Sequence, residues 1–208
     1  MTRLLAWPAA LLLSAQALLV GSSAAYGYAL ETDALTKEAA LATRAAVLSL
    51  NKDATEQSLA ESALDDLLGL LPEGVYAEFL SDGWTIALVD DAGAACGLGA
   101  AAGATDFDSK TIYLTATSSA VRGACLHEFG HYIDWKLGWA SSSDEFESAY
   151  AAEREAYSAF SAHAASTEKE AFAEVTNDIL LGRTSRMPCS GAMHAEVQDA
   201  LDKFLAEL

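Results

Sequence analysis

The run His127-Glu128-Phe129-Gly130-His131 constrains this chain more than any other feature, because its spacing makes chemical sense on an α-helix. Histidines four positions apart leave a helix from one face, about one turn apart, so both imidazoles can reach a single metal ion. Glu128 stands beside them, placed to polarise a metal-bound water and to move its proton. The bland alternative is a surface helix with incidental histidines. The flanks favour a helix that crosses a protein interior: Leu126, Phe129, Ile133 and Leu137 recur at spacings of three and four, and Gly138 is a stop signal. Such a stripe packs into a core and turns the polar face of the motif toward a cleft.

The start of the chain reads as an export address. Residues 1–25 carry a basic Arg3, an apolar stretch from Leu4 to Val20 and the small residues Ser22-Ser23-Ala24-Ala25. Cleavage near Ala25 is expected, with 26–208 as a single domain and a secreted or cell-envelope location. A retained membrane anchor is the competing reading, against which Trp7-Pro8, Ser14 and Gln16 interrupt the apolar run. All 30 acidic residues follow this segment, within a whole-chain net charge of −18. That excess excludes nucleic acid and anionic membrane as natural partners and favours solubility. The three cysteines, Cys96, Cys125 and Cys189, allow one disulfide and one spare thiol, and three pairings are open. Cys125 lies about 200° round the helix from His127 and is expected to point away from a metal.

The rest of the chain suggests an α+β fold, mostly helical, with a small mixed sheet packed on the motif helix. Leading helices are expected within 31–70, one over 31–50 and one over 55–70 that ends before Pro72. The catalytic part then runs from 84 to 208. Trp84–Val89 and Lys110–Thr115 read as strands, separated by a Gly- and Ala-rich loop from Gly93 to Gly103. After the motif, Ser141-Ser142-Ser143 can cap a helix from Asp144 with Phe146, Tyr150, Tyr157 and Phe160 on its apolar side. Ser166-Thr167 opens another helix, which carries Glu170 and Glu174 one turn apart.

A catalytic zinc takes three protein ligands and keeps a position open for water, so a third ligand is needed. Downstream candidates are His163, Glu168, Glu170, Glu174, Asp178 and His194. A histidine six residues beyond the motif is absent, since position 137 is Leu. A glutamate on a later helix is the stronger expectation.

Residues 127–134, HEFGHYID, together with Glu170-Ala171-Phe172-Ala173-Glu174, resemble the gluzincins that include the anthrax lethal factor catalytic domain and the secreted clostridial Pro-Pro endopeptidases. The resemblance implies a zincin-like fold and a zinc-dependent endopeptidase. It makes His127, His131 and Glu170 the ligands of one Zn²⁺ and Glu128 the general base. It also places Glu174 behind a ligand imidazole, a role that a carboxylate plays by fixing the tautomer of a metal-bound histidine. The exchanged assignment, with Glu174 on the metal and Glu170 in support, is the alternative. Seven residues before the ligand glutamate the family carries a tyrosine that stabilises the oxyanion, whereas this chain has His163. An imidazole N–H can make the same hydrogen bond. In the other reading His163 is a solvated helix-end residue, and Tyr150 or Tyr157 takes the role.

The expected partner is a peptide or protein substrate bound as an extended strand along residues 110–117, with the protein a monomer and off the membrane after signal removal. Trp135 and Trp139 could line a proline-directed site, although core or helix-end packing is the simpler role for both. Two other classes stand beside the peptidase. One is an exported, non-catalytic zinc-binding or interaction module; the other is a purely helical structural protein with surface histidines.

Overall fold

The computed structural model describes residues 54–183 and 191–208. The expected signal segment, the expected helix over 31–50 and Cys189 lie outside the described residues. Described elements run α1 (Ala54–Leu68), α2 (Val75–Ser81), β1 (Thr85–Val89), α3 (Ala92–Ala95), β2 (Gly103–Asp106), β3 (Thr111–Thr115), α4 (Ser118–Lys136), a 3₁₀ turn (Ala140–Ser142), α5 (Asp144–Phe160), α6 (Glu168–Leu180) and α7 (Ala192–Glu207). This is an α+β arrangement with more helix than strand, as the residue patterns suggest.

The motif helix α4 is the hub. Thr117 caps its start by accepting from the Ala120 amide, and Gly138, at φ 71°, lets the chain leave its end. Val121, Cys125, Phe129 and Tyr132 are all fully buried, so the helix is enclosed on several sides rather than along one stripe. It packs against α1, α6 and the sheet. Phe129 and Tyr132 enter an aromatic cluster with Phe79 of α2, at ring-centroid distances of 4.9 and 5.0 Å, and Tyr132 also meets Trp84 at 5.5 Å. A polar clasp locks α2 to the end of α4: the Tyr132 hydroxyl donates to Asp82 at 2.9 Å, and Lys136 Nζ reaches Glu78 at 2.7 Å and Asp82 at 2.8 Å.

The sheet has the order β1-β3-β2, with β1 parallel to β3 and β2 antiparallel to it. Ile86 pairs with Ile112 and Leu88 with Leu114, and these side chains join the core. Two expectations are corrected here. The Gly93–Gly103 stretch is not wholly loop: its start belongs to the one-turn helix α3, capped by the Asp91 side chain through the Ala94 amide, and its end opens β2. Four residues reading Gly-Ala-Thr-Asp carry no strand pattern, so pairing with β3 creates the strand. As a result β3 is central, and residues 110–117 offer no free edge to a substrate; β2 is the edge strand on that side.

Downstream, Ser143 caps α5 and Thr167 caps α6, each accepting an amide hydrogen bond of 3.2 Å. Phe146, Tyr150 and Tyr157 are buried on α5, whereas Phe160, its last residue, is 53 % exposed and does not complete the expected apolar face. The α7 start has no cap of its own side chains; buried Glu153 supplies one from α5 by accepting from the Ala192 and Met193 amides at 2.8 and 3.2 Å. Among the described residues no helix is long and apolar enough to cross a membrane.

The helices α4 and α6 approach closely at Gly130. A β-carbon added at Gly130 would lie 2.7 Å from Ala173 Cα and 2.8 Å from its carbonyl oxygen, both backbone atoms that a rotamer change cannot move. Gly130→Ala is therefore expected to destabilise the chain by about 1–3 kcal/mol through overpacking. This should outweigh the roughly 1 kcal/mol that alanine offers in helix propensity. Urea unfolding of the two proteins checks this, and an unchanged or raised midpoint would contradict it.

Candidate metal centre

The α4–α6 contact brings two helical rows face to face. His127 and His131 project one turn apart from α4, with ring centroids separated by 4.9 Å, and Glu170 and Glu174 project one turn apart from α6. The carboxylates meet the imidazoles. Glu170 Oε2 lies 3.1 Å from His127 Nε2 and 3.6 Å from His131 Nε2, while Glu174 Oε2 lies 2.9 Å from His127 Nδ1. One donor atom from each of His127, His131 and Glu170 falls within 4.8 Å of the other two, so this group could hold a metal ion. Ligand atoms about 2.0–2.1 Å from a tetrahedral ion sit roughly 3.3 Å from one another, and the glutamate-to-histidine spacings bracket that figure. The donor set of two imidazoles and one carboxylate suits Zn²⁺.

Both nitrogens of His127 face carboxylates, and this governs its charge. Burial pushes the imidazole toward neutrality, but hydrogen bonds to Glu170 and Glu174 prevail and raise its pKa from 6.5 to about 10. Glu170 responds in the opposite direction. Burial alone would raise it, yet the two imidazoles hold it well below the usual carboxylate range. Glu174 is lowered chiefly by its bond to His127. Without a metal, the cluster is thus an imidazolium held between two carboxylates.

Glu128 is buried at 6 % exposure, and its charge contributes to the raised pKa of His127. Its Oε2 accepts a 2.7 Å hydrogen bond from the Thr105 hydroxyl on β2. Gly103, on the same strand, leaves the space that the carboxylate fills: a β-carbon there would meet Glu128 Oε1 at 2.7 Å and Ala124 Cβ at 2.8 Å. Neither Thr105 nor Gly103 stands out in the sequence, since nothing local marks 103–106 as a strand beside the motif.

His163 lies between α5 and α6 with a side chain 76 % exposed, and its Nε2 is 3.1 Å from Glu170 Oε2. The tyrosine alternatives are buried: Tyr150 donates its hydroxyl to the Ala165 carbonyl at 2.7 Å, and Tyr157 is fully enclosed. Of the downstream candidates, only Glu170 joins the histidines in the compact donor group; Glu168, Asp178 and His194 do not, among the described residues. Cys96 and Cys125 are free thiols. Burial, reinforced by the Glu128 charge, pushes Cys125 up to about 12, which marks it as a core residue.

One further support was not read from the sequence. Asp134, fully buried, accepts from both the amide and the hydroxyl of Ser141 at 2.7 Å, tying the end of α4 to the 3₁₀ turn. Trp139 takes the left-handed conformation at φ 68°, with its ring 5.0 Å from Phe107 and the Lys169 ammonium 3.3 Å from its centroid. Trp135 packs on Trp84 at 5.3 Å. Comparison with protein-family models, with curated proteins and with solved structures found no match.

A metal takes neutral imidazole, so a divalent cation entering this group must displace the proton of His127. Calorimetric titration in buffers of different ionisation enthalpy should show at least one proton released per ion near pH 7.5, with any release beyond one coming from metal-bound water; release near zero would refute the imidazolium assignment. The sign for stability follows from the same shift. A raised histidine pKa stabilises the metal-free protein fully below 6.5, and that contribution is lost as pH rises through about 10. Thermal scans of metal-free protein across this range should show the decline, and His127→Gln should flatten it.

Proposed function

We propose that this chain is a secreted zinc-dependent endopeptidase with a zincin-like fold. The observation that carries the reading is the convergence of Glu128 with a compact His127–His131–Glu170 donor group, since the same chain supplies both a metal-holding set and a buried base. His127 Nε2, His131 Nε2 and Glu170 Oε2 would hold the ion. Glu174 would keep the proton of His127 on Nδ1, which leaves Nε2 free to coordinate; its 2.9 Å contact favours this assignment over the exchanged one. Bound zinc supplies Lewis acidity and lowers the pKa of its water toward about 7.

The protein groups then carry the proton and the substrate. Glu128 accepts a proton from the attacking water and returns it to the departing amine. His163, exposed beside Glu170, can donate a hydrogen bond to the oxygen where negative charge develops. An extended peptide adds to β2, an edge strand of the sheet, and so pairs with the strand whose Thr105 already touches Glu128. The export reading of residues 1–25 supports a substrate met outside the cytoplasm.

One observation favours the second reading, an exported non-catalytic metal-binding or interaction module. His163 Nε2 lies 3.1 Å from Glu170 Oε2, and this third imidazole moving onto the ion as a fourth protein ligand would close the position that water needs. The two readings part in experiment. For the peptidase, the mature protein with one zinc per chain cleaves members of a peptide library, and Glu128→Ala lowers turnover by about 10²–10⁴-fold with zinc content unchanged. Zinc bound by both proteins, cleavage by neither and a sharp loss of zinc affinity in His163→Ala would establish the closed site.

The outer carboxylate is separable from the inner one. Glu174→Gln should weaken zinc binding about 10–100-fold, as loss of a supporting carboxylate does, whereas Glu170→Gln should abolish stoichiometric binding. Competition with a chromogenic chelator measures both. The reverse ranking would exchange the two roles.

A further inference from the structure

We propose that Thr105 is the positioning residue for Glu128, and that β2 acts as the template that aims this carboxylate. This deepens the endopeptidase reading and rests on it for its catalytic consequence. Three observations carry it. The Thr105 hydroxyl lies 2.7 Å from Glu128 Oε2, a short contact of the kind made when a neutral O–H donates to an ionised carboxylate. The same hydroxyl is 3.4 Å from the Glu128 carbonyl, so its single proton is committed to the nearer and charged acceptor. Gly103, two positions earlier and therefore on the same face of the strand, has its missing β-carbon 2.7 Å from Oε1 and 2.8 Å from Cγ of Glu128.

The two strand residues act on the two oxygens differently. Thr105 holds Oε2, while Gly103 makes room for Oε1 beside the strand, and Oε1, with no hydroxyl on it, is the oxygen left to take and return a proton. A glutamate has three side-chain torsions and many orientations to sample, and the hydrogen bond selects one of them. No other hydrogen-bond donor to this carboxylate is seen among the described residues. Because β2 is also the edge strand, a peptide added to it is held on the same backbone segment that aims the base. Substrate and base are then registered to one element rather than to two that move separately.

The test compares T105V, which keeps the shape and removes the donor, with T105S, which keeps the donor. With the best library peptide, T105V should lower kcat about 10- to 100-fold, with KM changed less than about twofold and zinc content unchanged. T105S should stay within about threefold of the parent. Gly103→Ala should reproduce the T105V loss by displacing the carboxylate directly. A T105V enzyme with parental kcat overturns the proposal, as does a T105S enzyme no better than T105V. Crystal structures of the parent and T105V decide the matter independently of turnover: Glu128 unmoved in T105V overturns the proposal, and Glu128 swung from β2 supports it. If the parent cleaves nothing, the endopeptidase reading fails while those structures still judge Thr105.

Discussion

The contact on which the site depends is the meeting of Gly130 and Ala173, where the backbones of α4 and α6 come close enough that a single added methyl would overlap. Packed helices usually keep their axes about 8–10 Å apart, a distance set by the side chains between them. With glycine on one side and alanine on the other, almost nothing stands between. Histidines placed three before and one after Gly130 then face glutamates placed three before and one after Ala173. The short reach of a glutamate suffices at that separation. A bulkier pair at the crossing would hold the helices apart and leave four polar side chains in a cleft without partners.

That geometry also solves an electrostatic problem. The chain buries Glu128, Asp134 and Glu153 in its interior, and a buried carboxylate is costly unless it is hydrogen-bonded. Each one is met by donors from a different element. Thr105 of β2 serves Glu128, Ser141 serves Asp134, and the first amides of α7 serve Glu153. The carboxylates thus do cross-linking as well as chemistry, joining the motif helix to the sheet and to the turn after it, and α5 to the last helix. The imidazolium of His127 between Glu170 and Glu174 follows the same rule, with opposite charges satisfying one another where water is scarce.

The sheet is small, yet its order matters more than its size. With β3 in the middle, the apolar pairs Ile86–Ile112 and Leu88–Leu114 form the platform under α4, and the weakest strand by composition is left at the edge. The Thr105 contact shows why a sequence so poor in β-formers is tolerated there: glycine and a small hydroxyl residue are what the neighbouring carboxylate can accommodate. A valine or isoleucine at 103 would make a better strand and exclude Glu128.

What could be read from the residues in order was whatever depends on local periodicity. The four-residue spacing of His127 and His131, the cap signals at Ser141-Ser142-Ser143 and Ser166-Thr167, the stop at Gly138 and the strand run Lys110–Thr115 all express the geometry of one element, and the structure has them, with the caps at Ser143 and Thr167 and the strand over Thr111–Thr115. Glu170 was legible as a candidate because it lies one turn before Glu174 on a helix whose start is signalled. The single apolar stripe of α4 was legible only in part, since a helix enclosed by α1, α6 and the sheet buries residues off the stripe as well. Tertiary structure alone decided the remainder. It set the strand at 103–106, the central place of β3, the gathering of Glu170 with His127 and His131 into one compact donor group, and the approach of Thr105 to Glu128. Each of these depends on backbone segments far apart in the chain being brought together, and spacing along one element carries no information about what will face it.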